Sequence, residues 1–284
     1  MKSTAKHKNK KTKKPLRRRQ GCLIIIGGSE DKGDDRPILT EVARRAGQGT
    51  LIVVTAATQL VEDHWDDYRK IFKELGVKNI EHLHITQTED ARNPAWAKIF
   101  KDASCVFFTG GDQLRITTKL GGTPIMDFIF EVYESGGTIA GTSAGASVMG
   151  KTMLMGSDED AESHKVGNWR MAPGFGFLDE IIIDQHFAQR ARIGRLLGAV
   201  GQNPGILGVG IDEDTAIIVE NNEFKVLGSN AVYVIDGYSV TSTNVSEASA
   251  EKTMSMHNIT LHILAEGERY NFHERKVVSP APKD

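Results

Sequence analysis

The sequence predicts an α/β fold: a doubly wound, mostly parallel sheet with helices on both faces and a β-rich C-terminal extension. Three observations carry this. Apolar runs such as Cys22-Leu23-Ile24-Ile25-Ile26 and Cys105-Val106-Phe107-Phe108 alternate with amphipathic stretches of helical length. That is the pattern of strands covered on both faces by crossover helices. Two runs lead into Gly-Gly turns, Gly27-Gly28 and Gly110-Gly111. Past residue 206 the alternation gives way to short β-like runs separated by turn residues.

The elements follow in order. Residues 22–26 read as a buried strand. Residues 37–46 read as a helix, with Pro37 at its start and Gly47 just past its end. Residues 51–55 form a second strand, and 62–75 an amphipathic helix stopped by Gly76. Residues 80–85 are a strand, 94–102 a helix, 105–109 a strand and 123–134 a helix. Residues 138–140 are a strand that turns sharply into a helix over 144–149. Residues 156–170 are polar and irregular. A strand at 181–184 precedes a helix at 188–200. Strands at 215–219, 223–227, 231–235 and 258–264 follow, with Asn221-Asn222 and Asp236-Gly237 as turns. No linker or internal repeat divides the chain. Residues 21–274 are therefore read as one catalytic α/β domain between a basic tail, 1–20, and a C-terminal tail, 275–284.

Of the 284 residues, 39% are hydrophobic, enough for a core that needs neither metal nor disulfide. Cys22 and Cys105 lie in strand-like runs and read as core residues. No apolar run approaches the roughly 18 residues that span a bilayer. Ten of the 35 basic residues fall in residues 1–20, which hold no acid. The rest of the chain has 25 basic against 37 acidic residues, a formal −12. The tail reads as a disordered extension rather than a nucleic-acid contact. It lacks the apolar segment of a signal peptide, so a cytoplasmic protein is expected.

Gly141-Thr142-Ser143-Ala144-Gly145-Ala146 carries the most chemistry. A serine between small residues, on a strand-to-helix turn, has the form of a nucleophile elbow. The hydroxyl needs a base. His186, after Ile181-Ile182-Ile183-Asp184-Gln185, stands at a strand end, where α/β sites gather. The stretch 157–164 supplies four carboxylates between serine and histidine: Asp158, Glu159, Asp160 and Glu162. Spacing alone does not choose among them as the group that orients the imidazole. N–H groups of Ala144 and Gly111 are the candidate oxyanion donors. Arg190, Arg192 and Arg195 follow His186 closely and suit carboxylates of a substrate. His82 and His84 lack a third ligand, and no cofactor or metal is expected.

Several motifs together resemble the cyanophycinase family: Gly27-Gly28-Ser29-Glu30-Asp31, Phe108-Thr109-Gly110-Gly111-Asp112-Gln113-Leu114-Arg115, the 141–146 turn, Asp184-Gln185-His186-Phe187-Ala188-Gln189-Arg190, Asn203-Pro204-Gly205 and Gly210-Ile211-Asp212-Glu213. The resemblance runs over about 21–274, and its order and spacing are specific. It is related to a dipeptidase that cleaves after N-terminal aspartate, and more distantly to class I glutamine amidotransferase folds. It implies a serine-type exopeptidase that cuts the polyaspartate backbone of cyanophycin and releases β-aspartyl-arginine. By the same resemblance Ser143 is the nucleophile, His186 the base and Glu162 the third member. Gln113, Asp184, Gln185, Arg190, Arg192 and Arg195 match pocket positions, with Asp184 suited to a substrate guanidinium. Members of the family are homodimers. Other readings stay open: a peptidase of short aspartyl peptides, a catalytically silent binding protein on this fold, and an esterase of the ordinary α/β-hydrolase type.

Overall fold

The computed structural model describes residues 21–155, 165–167, 169–248 and 252–278. The basic tail and Asp158, Glu159, Asp160 and Glu162 lie outside the described residues. The first half of the chain runs Cys22–Ile26 (β1), Pro37–Ala46 (α1), Thr50–Val54 (β2), Val61–Glu74 (α2), Asn79–Leu83 (β3), Ala97–Phe100 (α3), Ala103–Phe108 (β4), Gln113–Leu120 (α4), Pro124–Glu134 (α5), Thr138–Thr142 (β5) and Ala144–Ser147 (α6). The second half runs Thr152–Met155 (β6), Arg170–Pro173 (β7), Ile181–Gln185 (β8), Ile193–Gln202 (α7), Leu207–Ile211 (β9), Thr215–Glu220 (β10), Glu223–Gly228 (β11), Val232–Asp236 (β12), Ser242–Thr243 (β13), Met256–His257 (β14), Thr260–Leu264 (β15), Arg269–Asn271 (β16) and Lys276–Val278 (β17).

The main sheet has nine strands in the order β17-β16-β11-β10-β1-β5-β4-β2-β3. From β1 to β3 every pairing is parallel. β1 is buried throughout, and its side chains alternate between two cores. Leu23 and Ile25 join Phe108 and Ile129 on the α5 face; Ile24 and Ile26 join Leu39 and Phe72 under α1 and α2. Helices therefore cover both faces, as the sequence predicts.

The C-terminal strands depart from the expected extension. β10 pairs antiparallel with β1, so this part of the chain widens the main sheet instead of standing beside it. β17, placed in the tail by the sequence, pairs with β16. A second sheet of four strands, β15-β12-β9-β8, packs its inner side against α7. The helix expected at 188–200 begins only at Ile193, because residues 188–192 turn tightly after His186.

β9 was hidden by its composition, Leu207-Gly208-Val209-Gly210-Ile211. The glycines are there for close packing. A Cβ on Gly208 would come within 2.8 Å of Val200, and one on Gly210 within 2.5 Å of the Phe187 ring. β8 and β9 pair in parallel, Gln185 opposite Ile211, so the residues that follow both strands emerge at the same end. Both thiols are free and buried, and burial pushes Cys22 up to about 12. No helix among the described residues is long and apolar enough to cross a membrane.

Candidate active site

Three parallel strand ends build the first part of the site. β1, β5 and β4 lie side by side, with Ile26 opposite Thr142 and Phe108 opposite Gly141. The chain leaves β5 through Ser143, whose backbone sits at φ 53°, ψ −111°. A non-glycine residue at positive φ stores strain, on the order of 1–3 kcal/mol, that the surroundings must offset. Here Ser143 N donates to Ile26 O at 3.0 Å, and Ser143 O accepts from Ala146 N and Ser147 N. The hydroxyl is thereby lifted to the sheet's end, as the elbow reading expects. Gly110 follows β4 beside it: a Cβ there would lie 3.9 Å from Ser143 Oγ. Among the described residues, neither Gly111 N–H nor Ala144 N–H has an acceptor. Both remain available to a developing oxyanion.

His186 comes from the second sheet. Its N donates to Gly27 O at 2.8 Å, which ties the end of β8 to the turn after β1. Its Nε2 lies 2.9 Å from Ser143 Oγ, and its Nδ1 lies 2.6 Å from Glu213 Oε1. These partners assign the tautomer: Nδ1–H donates to Glu213, and Nε2 accepts from the serine hydroxyl. Burial lowers the imidazole's pKa below its ordinary value, opposed by the bond to Glu213 and reinforced by Arg190. The group is neutral near pH 7, the form a general base needs. Gly28 makes room for the ring. Its φ is +103°, and a Cβ there would sit 2.3 Å from His186 Cε1.

Glu213 is the residue that sequence reasoning missed. It stands two residues past β9, at the sheet end where His186 stands one residue past β8, and its side chain is one-third exposed. Its backbone N–H donates to Gln189 Oε1 at 3.1 Å. The signal is Gly210-Ile211-Asp212-Glu213, a strand end carrying an acid, and the glycines of β9 mask it as a strand. Glu162, the expected third member, is outside the described residues. The carboxylate at His186 Nδ1 is Glu213.

The other expected residues divide. Arg190 is exposed beside His186. Arg192 and Arg195 are buried, at 4% and 3% exposure, and Asp184 at 1%. Asp184, expected to meet a substrate guanidinium, meets the chain's own Arg195 through a two-pronged bond, Nε to Oδ2 at 2.7 Å and Nη2 to Oδ1. Arg192 Nη1 donates to Gln185 O at 2.6 Å and lies 3.6 Å from Asp184 Oδ1. The pairing satisfies the oxygens of the buried carboxyl group, and α7 is thereby pinned to β8. Gln113 opens α4, and its Nε2 donates to Leu154 O at 2.7 Å. Gln185 is buried, and its Oε1 has no partner among the described residues.

A serine, an imidazole and a carboxylate in hydrogen-bonded series, with two idle N–H groups, are the parts of acyl transfer through a covalent intermediate. The comparisons with known proteins agree with this chemistry. The model of peptidase family S51 matches residues 23–227, which include Ser143, His186 and Glu213. The chain is 38% identical over 261 residues to the cyanophycinase of Trichormus variabilis, covering 90% of this chain and 87% of that protein. It is 36% identical over 256 residues to the cyanophycinase of Geminocystis herdmanii, covering 89% and 94%. Among solved structures, a peptidase from an acI-B1 Actinobacterium matches with a TM-score of 0.66 at 22% identity, over 89% of this chain and 98% of that one. That likeness concerns the fold. With a matching family model over most of its length and relatives this similar, the chain belongs to peptidase family S51.

Proposed function

We propose that this peptidase hydrolyses cyanophycin as a serine-type exopeptidase and releases β-aspartyl-arginine. The observation that carries the reading is the Ser143–His186–Glu213 series, held at 2.9 and 2.6 Å, in a chain whose relatives are cyanophycinases. Ser143 Oγ attacks a backbone carbonyl carbon while His186 Nε2 takes its proton. Glu213 stabilises the imidazolium, and Gly111 and Ala144 N–H groups receive the oxyanion. The tetrahedral species collapses, the C–N bond breaks, and His186 passes its proton to the leaving amine. A water molecule, activated by the same imidazole, then frees the acyl group from Ser143. Exposed Arg190 stands where it can meet a carboxylate of the substrate. The buried Asp184–Arg195 pair supports the wall behind the base.

The same reading takes residues 21–274, with β17 added, as one catalytic domain related to the class I glutamine amidotransferase folds. The strand-to-helix elbow and the parallel sheet support that kinship. Two free thiols suit a reducing cytoplasm. A homodimer follows from the family resemblance.

Two measurements check this. Purified protein given cyanophycin granules or short aspartyl dipeptides should release β-aspartyl-arginine from the granules, read by mass spectrometry, and turn over the dipeptides far more slowly. The reverse preference would make it an aspartyl peptidase instead. The pH profile of kcat/KM should rise through a limb whose midpoint lies below 6.5, the ordinary value for histidine, because burial holds His186 lower. The sign is fixed by the chemistry: protonating Nε2 removes the base, so activity is lost as pH falls. A limb above 6.5 would contradict the environment described for His186.

A further inference from the structure

Residues 28–31 take no part in proton transfer, yet they touch His186 and the chain neighbours of Ser143 and Glu213. Gly28 lies against the His186 ring. Gly28 O accepts from Asp214 N at 2.9 Å, and Asp31 N donates to Asp214 Oδ1 at 2.8 Å, both beside Glu213. Between them, Glu30 points inward and is 4% exposed. Its Oε1 accepts from Tyr68 OH at 2.5 Å, and its Oε2 accepts from Thr142 Oγ1 at 2.5 Å. Thr142 is the last residue of β5, directly before Ser143.

A buried carboxylate is costly unless its lone pairs are satisfied. An apolar side chain would fill the space at less cost, so packing alone does not account for Glu30. Two hydroxyl donors on one acceptor-only group do. Tyr68 stays a donor, because burial, and then the neighbouring Glu30, push its pKa well above the ordinary value. The ammonium of Lys32 sits 4.4 Å from the Tyr68 ring centroid and adds positive charge to the assembly. The carboxylate thus ties α2, the turn after β1 and the end of β5 to one point. That point is one residue from the strained backbone of Ser143, and strain persists only where the surroundings over-determine it.

We propose that Glu30 is a positioning residue for the nucleophile: through Thr142 it holds the elbow in the conformation that aims Ser143 Oγ at His186 Nε2. This rests on Ser143 being the nucleophile. The test is a set of variants assayed on cyanophycin for kcat and KM, with thermal melting alongside. Glu30→Gln should lower kcat by roughly 10- to 100-fold, the scale of a misplacement near 1 Å. Its KM should stay within about twofold, since substrate contacts are untouched. Thr142→Val should reproduce most of that loss, and Thr142→Ser, which keeps the hydroxyl, should recover the parental rate. The double variant Glu30→Gln with Thr142→Val should be no slower than the slower single, because both break one link.

A folded Glu30→Gln protein with parental kcat would overturn the inference. So would a Thr142→Val protein that melts earlier yet turns over normally. If Glu30→Gln does not fold, the Thr142→Val and Thr142→Ser pair decides alone. If Ser143→Ala turns over at the parental rate, the proposed function itself fails. If Ser143→Ala is inactive while Glu30→Gln and Thr142→Val are unaffected, only the role of Glu30 fails.

Discussion

Ser143→Ala is expected to reduce kcat on cyanophycin by several orders of magnitude, on the order of 10⁴ or more, with the fold intact. The size follows from the geometry. Ser143 Oγ is the group at 2.9 Å from the accepting nitrogen of His186, on a backbone shaped to present it. Alanine removes one oxygen and leaves Ser143's backbone bonds to Ile26 O, Ala146 N and Ser147 N available. Thermal melting should therefore move little while turnover collapses. Residual hydrolysis by water, aided by the N–H groups of Gly111 and Ala144, sets the floor. Steady-state rates of the two proteins, paired with melting curves, check this directly. A variant that loses activity only in proportion to its unfolding would point to a structural serine.

The second large effect is expected at Glu213. Glu213→Gln keeps the size of the side chain but replaces a charge with an amide. The amide can present N–H to Nδ1 and favour the tautomer whose Nε2 carries a proton and cannot accept one from Ser143. It also no longer stabilises the imidazolium. The loss in kcat should be on the order of 10² to 10⁴. The acid limb of the pH profile should move to still lower pH, because Glu213 is the partner that raises the His186 pKa against burial. Glu162→Gln, made in parallel, should cost far less and leave the limb in place. The opposite ranking would return the orienting role to the 157–164 stretch.

The missed acid and the missed strand are one event. β1 and α1 were legible to the residue, because an unbroken apolar run and a Pro-to-Gly bounded amphipathic stretch each have a local cause. The elbow was legible for the same reason: small residues around a serine announce a tight turn. β9 was not, because Gly208 and Gly210 serve neighbours that are distant in sequence or lie on another element. Leu196 and Val200 press on one, and Phe187 on the other. Without the β9 strand end to place it, Glu213 has no local mark as an orienting acid, whereas the charge run at 157–164 has four carboxylates in plain view.

Arg192, Arg195 and Asp184 illustrate the same limit. Their spacing offers cations near a base, but only the packing of α7 on β8 brings Arg195 onto Asp184. Glu30 is a further case. Its partners, Tyr68 and Thr142, are 38 and 112 residues away, so nothing local marks it as part of the elbow.

The measurement that bears most directly on the account is covalent trapping of the nucleophile. The protein is treated with a serine-directed phosphonyl fluoride, sampled over time for release of β-aspartyl-arginine from cyanophycin, and mapped by peptide mass spectrometry. The account predicts one adduct, on Ser143, whose growth matches the loss of dipeptide release point by point. Full modification of Ser143 with undiminished release would contradict it, as would inactivation with the adduct on another residue.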